Sequence, residues 1–167
     1  MPNTKIKKRK YGIPSFLEGV ISQEKYERWL RRKAAAHLRR DRKYGNRVIS
    51  GVIYRVAIHE AVKESNGKDA YTGERLDWKS LSEYSNIESA KGRRKYRARF
   101  ALLPTVDHVD DRLASPNFRI CSWRTNDAKG DMTLSDFLKL CRMVIAHHGK
   151  NHPVPRKVRV AAPQEGG

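Results

Sequence analysis

The stretch from Thr105 to Asp131 reads TVDHVDDRLASPNFRICSWRTNDAKGD and concentrates side chains able to do chemistry. Asp107-His108 closes a short apolar run, Asp110 and Asp111 follow, Asn117 comes nine residues after His108, and Asn126 nine after Asn117. Hydrolysis of a phosphodiester asks for such a set: a base that activates water, oxygen ligands for a divalent cation, and positive surface to hold the strand. Histidine titrates near neutrality and suits the base. Oxygen ligands suit magnesium or manganese. Each residue also has a plain structural reading. His108 can be a histidine satisfied beside an aspartate, Asn117 after Pro116 a turn residue, Asn126 a cap, and Asp110 and Asp111 solvated loop acids. Asp127 competes with Asn126 as a ligand.

A strand–strand–helix unit must position these side chains. Thr105–Val109 reads as a short strand, Ser115-Pro116 turns the chain, and Phe118, Ile120 and Trp123 around Cys121 read as a second strand passing into a helix. Upstream, Asp69 to Trp78 reads as a small hairpin closed by an aromatic. Residues 79–99 are polar, with capping-box spacing from Ser80 to Glu83. The N-terminal part is helical. Behind Ser22 as N-cap, Tyr26, Trp29, Leu30, Ala34, His37 and Leu38 recur at three- and four-residue steps as far as about Tyr44. A second helix is expected from about Ser50 to Glu64, with Val52, Ile53, Val56, Ala57 and Val62 as its apolar positions. A last one starts at Thr133, with Leu134, Phe137, Leu138, Cys141, Val144 and Ile145 on one face, and stops at Gly149. Residues 1–14 read as a basic tail and 150–167 as a loose tail.

Charge narrows the partner. The 167 residues hold 36 Lys+Arg against 18 Asp+Glu, a net charge of +18. Residues 1–47 alone carry fifteen Lys/Arg against four acids, and Lys91–Arg99 adds six cations with no acid. Two separate basic blocks favour a polyanion, since each cation seated on a phosphate releases counterions. The candidate phosphate contacts are Arg28, Arg31, Arg32, Arg39, Arg40, Arg42 and Lys43 in the first block, Arg93, Arg94, Lys95 and Arg97 in the second, and Lys129. Apolar residues make up 38% of the chain, below the usual ~45–50%, so its core is thin. No apolar run approaches a membrane span, and the basic N-terminus lacks the apolar stretch of a secretory signal, so a cytoplasmic location is expected. Two cysteines exclude a disulfide framework.

The chemistry-bearing stretch resembles the HNH, or ββα-metal, nucleases. Their pattern is apolar-apolar-Asp-His-apolar, a loop, Asn-apolar-x-apolar-Cys, then Asn or His before a Lys-Gly/Ser-Asp stretch. Here it is matched by Thr105-Val106-Asp107-His108-Val109, Asn117-Phe118-Arg119-Ile120-Cys121 and Asn126-Asp127-Ala128-Lys129-Gly130-Asp131. Tyr71-Thr72-Gly73-Glu74 resembles the hairpin that often precedes the motif. The subtype, Asp-His…Asn…Asn, is similar to the HNH domain of CRISPR effector nucleases, and whole chains of this kind are of bacterial or phage type.

The resemblance implies an α+β fold: a ββα core near residues 69–132, with a basic helical DNA-binding region at 15–68 and a C-terminal helix completing a domain that ends at 149. It implies His108 as general base, Asp107 and Asn126 as ligands of Mg2+ or Mn2+, and Asn117 tying the loop and orienting the His108 imidazole. The expected reaction is hydrolysis of double-stranded DNA, nicking unless the chain forms a homodimer. Many relatives are braced by zinc on two Cys-x-x-Cys pairs. This chain lacks them, so structural zinc is not expected. Two readings from other classes stand beside the enzyme: a non-catalytic nucleic-acid-binding protein that keeps the fold, and an RNA- or ribosome-associated basic protein.

Overall fold

Hydroxyl side chains open each long helix. Ser22 accepts from the Lys25 amide at the start of α1, Gln23–Lys43, and Ser50 from the Val52 amide at the start of α2, Gly51–Ser65. Such caps satisfy amides that a helix leaves without intrahelical partners. The computed structural model describes residues 10–47, 50–109 and 115–149. α1 buries Tyr26, Trp29, Leu30, Ala34, His37 and Asp41 along one seam. The expected seam is there with Leu38 only partly buried at its edge and with one acid, Asp41, added. α2 ends at Asn66 in the left-handed conformation, followed by Gly67 at φ 75°. A side chain at Gly67 would meet the Phe16 ring at 3.1 Å, so both backbone and packing call for glycine there.

The buried face of α2 differs from expectation. Tyr54, Ile58, Ala61 and Val62 are buried, whereas Val52, Ile53 and Val56 are exposed. At 100° per residue, Val52 and Val56 lie opposite Tyr54. The tyrosine decides the rotation. Its ring packs against Phe118 at 5.7 Å between centroids, and its hydroxyl reaches buried Asp41, giving both area and a satisfied polar end.

Residues 79–99 also resolve differently. Ser80 lies in a short 3-10 turn, Lys79–Ser82, while Ser85 caps α3, Asn86–Arg99, by accepting from the Glu88 amide. The spacing from Ser80 to Glu83 thus falls on the 3-10 turn, and the α-helix starts five residues later at a second S-x-x-E, Ser85 to Glu88. α3 has no apolar stripe, and Ile87 on it is 72% exposed.

Two strands follow: β1, Pro104–His108, and β2, Phe118–Ser122, paired antiparallel with Asp107 opposite Arg119 and His108 opposite Phe118. Helix α4, Trp123–Lys129, starts directly after β2. Its first amides are not left open: Trp123 N donates to Leu103 O and Arg124 N to Ala101 O. The fold is thus α+β. Tyr26, Trp29 and Leu30 of α1, Tyr54 and Ile58 of α2, Trp78, and Val106, Phe118 and Ile120 of the strands form one core. The N-terminal helices and the strand pair are therefore one body, not separate domains.

The chain divides at Ala128/Lys129 into two units. The second contains α5, Leu134–His148, capped by Thr133 on the Asp136 amide. Among the described residues, no helix is long and apolar enough to cross a membrane.

Candidate active site

Four-residue steps along α1 place Lys33, His37 and Asp41 in a row, and this row runs beside β1. Lys33 Nζ donates to Thr105 Oγ1 at 2.8 Å, the His37 ring lies 4.9 Å from the His108 ring, and His108 Nε2 is 2.9 Å from Asp41 Oδ2. Two four-residue steps advance a helix by about 12 Å and three residues advance a strand by about 10 Å, so the two rows keep pace.

Asp41 is the residue that the sequence did not single out. It is 1% exposed, accepts from the Tyr54 hydroxyl at 2.6 Å and from His108 through the same oxygen, and its Oδ1 has no hydrogen-bond partner among the described residues. Burial, with the bond to Asp41 added, pushes the Tyr54 phenol well above its usual range, so Tyr54 is a donor at any working pH. The signal was present: Asp41 continues the series 26, 30, 34, 37 at a position the helical period assigns to the core. A lone acid at a core position of a basic helix needs a buried partner.

The His108 side chain is 14% exposed, and its ring forms a three-membered cluster with Phe118 and His37, which also touch each other at 5.1 Å between centroids. With Nε2–H donated to a carboxylate, the neutral ring carries its basic lone pair on Nδ1. Asp107 is 8% exposed and accepts from the Tyr71 hydroxyl at 2.5 Å. Burial first, and Asp107 second, raise the Tyr71 phenol far above its ordinary value, which keeps the proton on the tyrosine.

Tyr71 is delivered by the loop that the sequence marked as YTGE. Asp69 organises that loop: its Oδ1 accepts from Tyr71 N and Thr72 N, and its Oδ2 accepts from Ser122 N and Thr125 Oγ1. Burial acts to raise the Asp69 carboxyl, but these donors outweigh it and hold it below the usual aspartate range. One carboxylate thus ties loop, β2 and α4 together. Glu74 pairs with Arg124 of α4 as a second tie.

Asn117 is exposed, and its carbonyl accepts from Val109 N at 3.0 Å, so its backbone closes the loop after β1. Asp110 and Asp111 lie outside the described residues. Asn126 is half-buried on α4, and its neighbour Asp127 is exposed. Asp107 offers a carboxylate and Asn126 an amide, donor types that suit a hard cation keeping most of its water. Among the described residues, no three His, Cys, Asp or Glu side chains form a ready metal cage.

All seven expected α1 contacts, Arg28, Arg31, Arg32, Arg39, Arg40, Arg42 and Lys43, are exposed. At 100° per residue, all but Arg40 fall within an arc of about 120° opposite the buried seam. Arg40 stands at the flank, with a guanidinium nitrogen 3.0 Å from His37 Nε2. On α3, Arg94, Lys95 and Arg97 are exposed, and the Arg93 side chain lies outside the described residues. Lys129 departs from the others: it is 6% exposed, which argues against a role on phosphate. Comparison with protein-family models, with curated proteins and with solved structures found no match to this chain.

Proposed function

We propose that this protein is an HNH-type, ββα-metal endonuclease that hydrolyses phosphodiester bonds in DNA. The observation that carries the reading is the placement of the motif: Asp107-His108 at the end of β1, Asn126 on the helix that leaves β2 without a linker, and His108 held by a buried carboxylate. His108 is the general base. Its Nε2–H rests on Asp41, which leaves Nδ1 to take a proton from water and lets the carboxylate stabilise the imidazolium that forms. Asp41, fixed in turn by Tyr54, is a positioning residue.

Asp107 and Asn126 would hold Mg2+ or Mn2+. When bound, the ion supplies charge neutralisation at the scissile phosphate and the leaving 3′-oxygen. Tyr71 donates to one Asp107 oxygen and so orients the carboxylate. The basic arc of α1 and the exposed cations of α3 grip phosphates, which position the strand without reading its sequence.

One observation favours a second reading. The His108 ring packs against two aromatic rings at the edge of the core and is hydrogen-bonded to a buried carboxylate, as a structural histidine is. On that reading the chain binds nucleic acid without cutting it. Conversion of supercoiled plasmid in Mg2+, beside EDTA and beside His108→Ala, tests the choice. Nicking that needs metal and His108 supports the enzyme. Salt-sensitive binding without conversion, the same in both proteins, supports the binder.

A further inference from the structure

A cavity of about 360 Å3 opens where the basic arc of α1 meets the start of β1, lined among others by Trp29, Arg32, Lys33, Tyr84, Thr105 and Trp123. Its chemistry is one-sided. Two cations line it and no acid does. Lys33 spends one N–H on Thr105 and has two more to give. The Trp29 indole N–H is buried with no acceptor among the described residues, an unusual state for a buried donor. Tyr84 and Trp123 bring two aromatic rings, edge to face at 4.9 Å. Such a cavity asks for a ligand with anionic oxygens at one end and a flat ring at the other.

We propose that this cavity is a mononucleotide subsite, with the phosphate on Arg32 and Lys33 and the base against Tyr84 and Trp123. Aromatic side chains take any base by its π face, and paired cations take phosphate. Burial first, and Arg32 and Arg40 next, lower the Lys33 ammonium to about 8, a cost that a bound phosphate dianion relieves. Thr105 and Asp107 lie two residues apart on one face of β1, about 7 Å along the strand. On the nuclease reading, the subsite therefore holds the nucleotide next to the scissile phosphodiester. The ligand class itself does not depend on that reading.

The full chain, 15N-labelled, is titrated separately with the four deoxynucleoside 5′-monophosphates, with thymidine and with inorganic phosphate, following the indole N–H signals. At least one nucleotide is expected to shift Trp29 and Trp123 saturably. Thymidine and inorganic phosphate each bind about tenfold more weakly or worse, and Lys33→Met and Arg32→Ala each lose about tenfold. Arg32 is exposed, so its variant tests the phosphate seat without touching the core. If none of the four nucleotides moves the Trp29 signal, or if both variants bind as well as wild type, the subsite is refuted. If inorganic phosphate binds as tightly as the best nucleotide, the aromatic half is refuted. The same titration on His108→Ala is expected to be unchanged. Nucleotide binding in a protein that cleaves no plasmid keeps the subsite and removes the nuclease; cleavage without nucleotide binding does the reverse.

Discussion

Replacing Asp41 by alanine and by asparagine separates what its carboxylate does for folding from what it does for His108. Asp41→Ala takes the acceptor from two donors, the Tyr54 hydroxyl and His108 Nε2–H, in a site where the aspartate is 1% exposed. An unsatisfied buried donor costs about 1–3 kcal/mol, so the two together cost about 2–6 kcal/mol. Relief of a desolvated charge with one oxygen unpaired brings the expectation to about 2–3 kcal/mol. In urea this lowers the unfolding midpoint by about 1–2 M and leaves the protein folded in buffer. Asp41→Asn keeps the shape but offers one acceptor to two donors. When the amide oxygen stays on Tyr54, the amide N–H2 faces His108 Nε2 and drives the ring proton to Nδ1, the nitrogen needed as base. Plasmid cleavage is then expected to fall about 100- to 10,000-fold, the range that a general base supplies, with DNA binding unchanged. The assay pairs urea denaturation with cleavage at saturating DNA for wild type, Asp41→Asn and Asp41→Ala. A folded Asp41→Asn protein that cleaves at the wild-type rate refutes the dyad.

Three further outcomes follow from the same contacts. Tyr71→Phe removes the donor to Asp107, so the Mg2+ concentration for half-maximal cleavage is expected to rise about tenfold or more while the Kd for DNA in EDTA stays the same. Asp69 has a folded pKa below its unfolded value, so its contribution to stability is complete above the ordinary pKa of about 3.9 and is lost as pH falls through the folded value. Urea midpoints measured between pH 2 and 6 are expected to drop at the acid end in wild type and to change less steeply there in Asp69→Asn, which is also less stable near neutrality. Arg28, Arg39 and Arg42 are exposed on the basic arc of α1. Their triple alanine variant is expected to flatten the slope of log Kd against log salt by about three, with thermal stability nearly unchanged.

Much of this was legible in the residues. Ser22, Ser50 and Thr133 mark helix starts where the caps are found, and the short runs Thr105–Val109 and Phe118, Ile120 around Cys121 mark the two strands. The YTGE loop stood out, and its Tyr71 proved to reach Asp107. Legibility failed where a long-range partner decides. The face of α2 was assigned by counting aliphatic residues, but Tyr54 turns it, because its hydroxyl needs Asp41 and its ring needs Phe118. α3 lacks an apolar period, and its cap, Ser85, was passed over for the same spacing at Ser80, so its start was misplaced and its length unread. Asp41 is 67 residues from His108, and a composition count makes it one of four acids in a basic segment. The Lys33 cavity draws on α1, the segment before α3, β1 and α4, and no local pattern joins those four.

The most direct measurement is the rate of supercoiled-plasmid cleavage in Mg2+, Mn2+ and EDTA for wild type, His108→Ala, Asp107→Ala and Asn126→Ala, each compared at equal DNA occupancy measured by anisotropy. Wild type is expected to convert plasmid in either metal and not in EDTA, and all three variants are expected to lose conversion while their DNA binding stays within a few-fold of wild type. Conversion that survives in EDTA or in His108→Ala, or equal binding by all four proteins with no conversion by any, contradicts the nuclease reading.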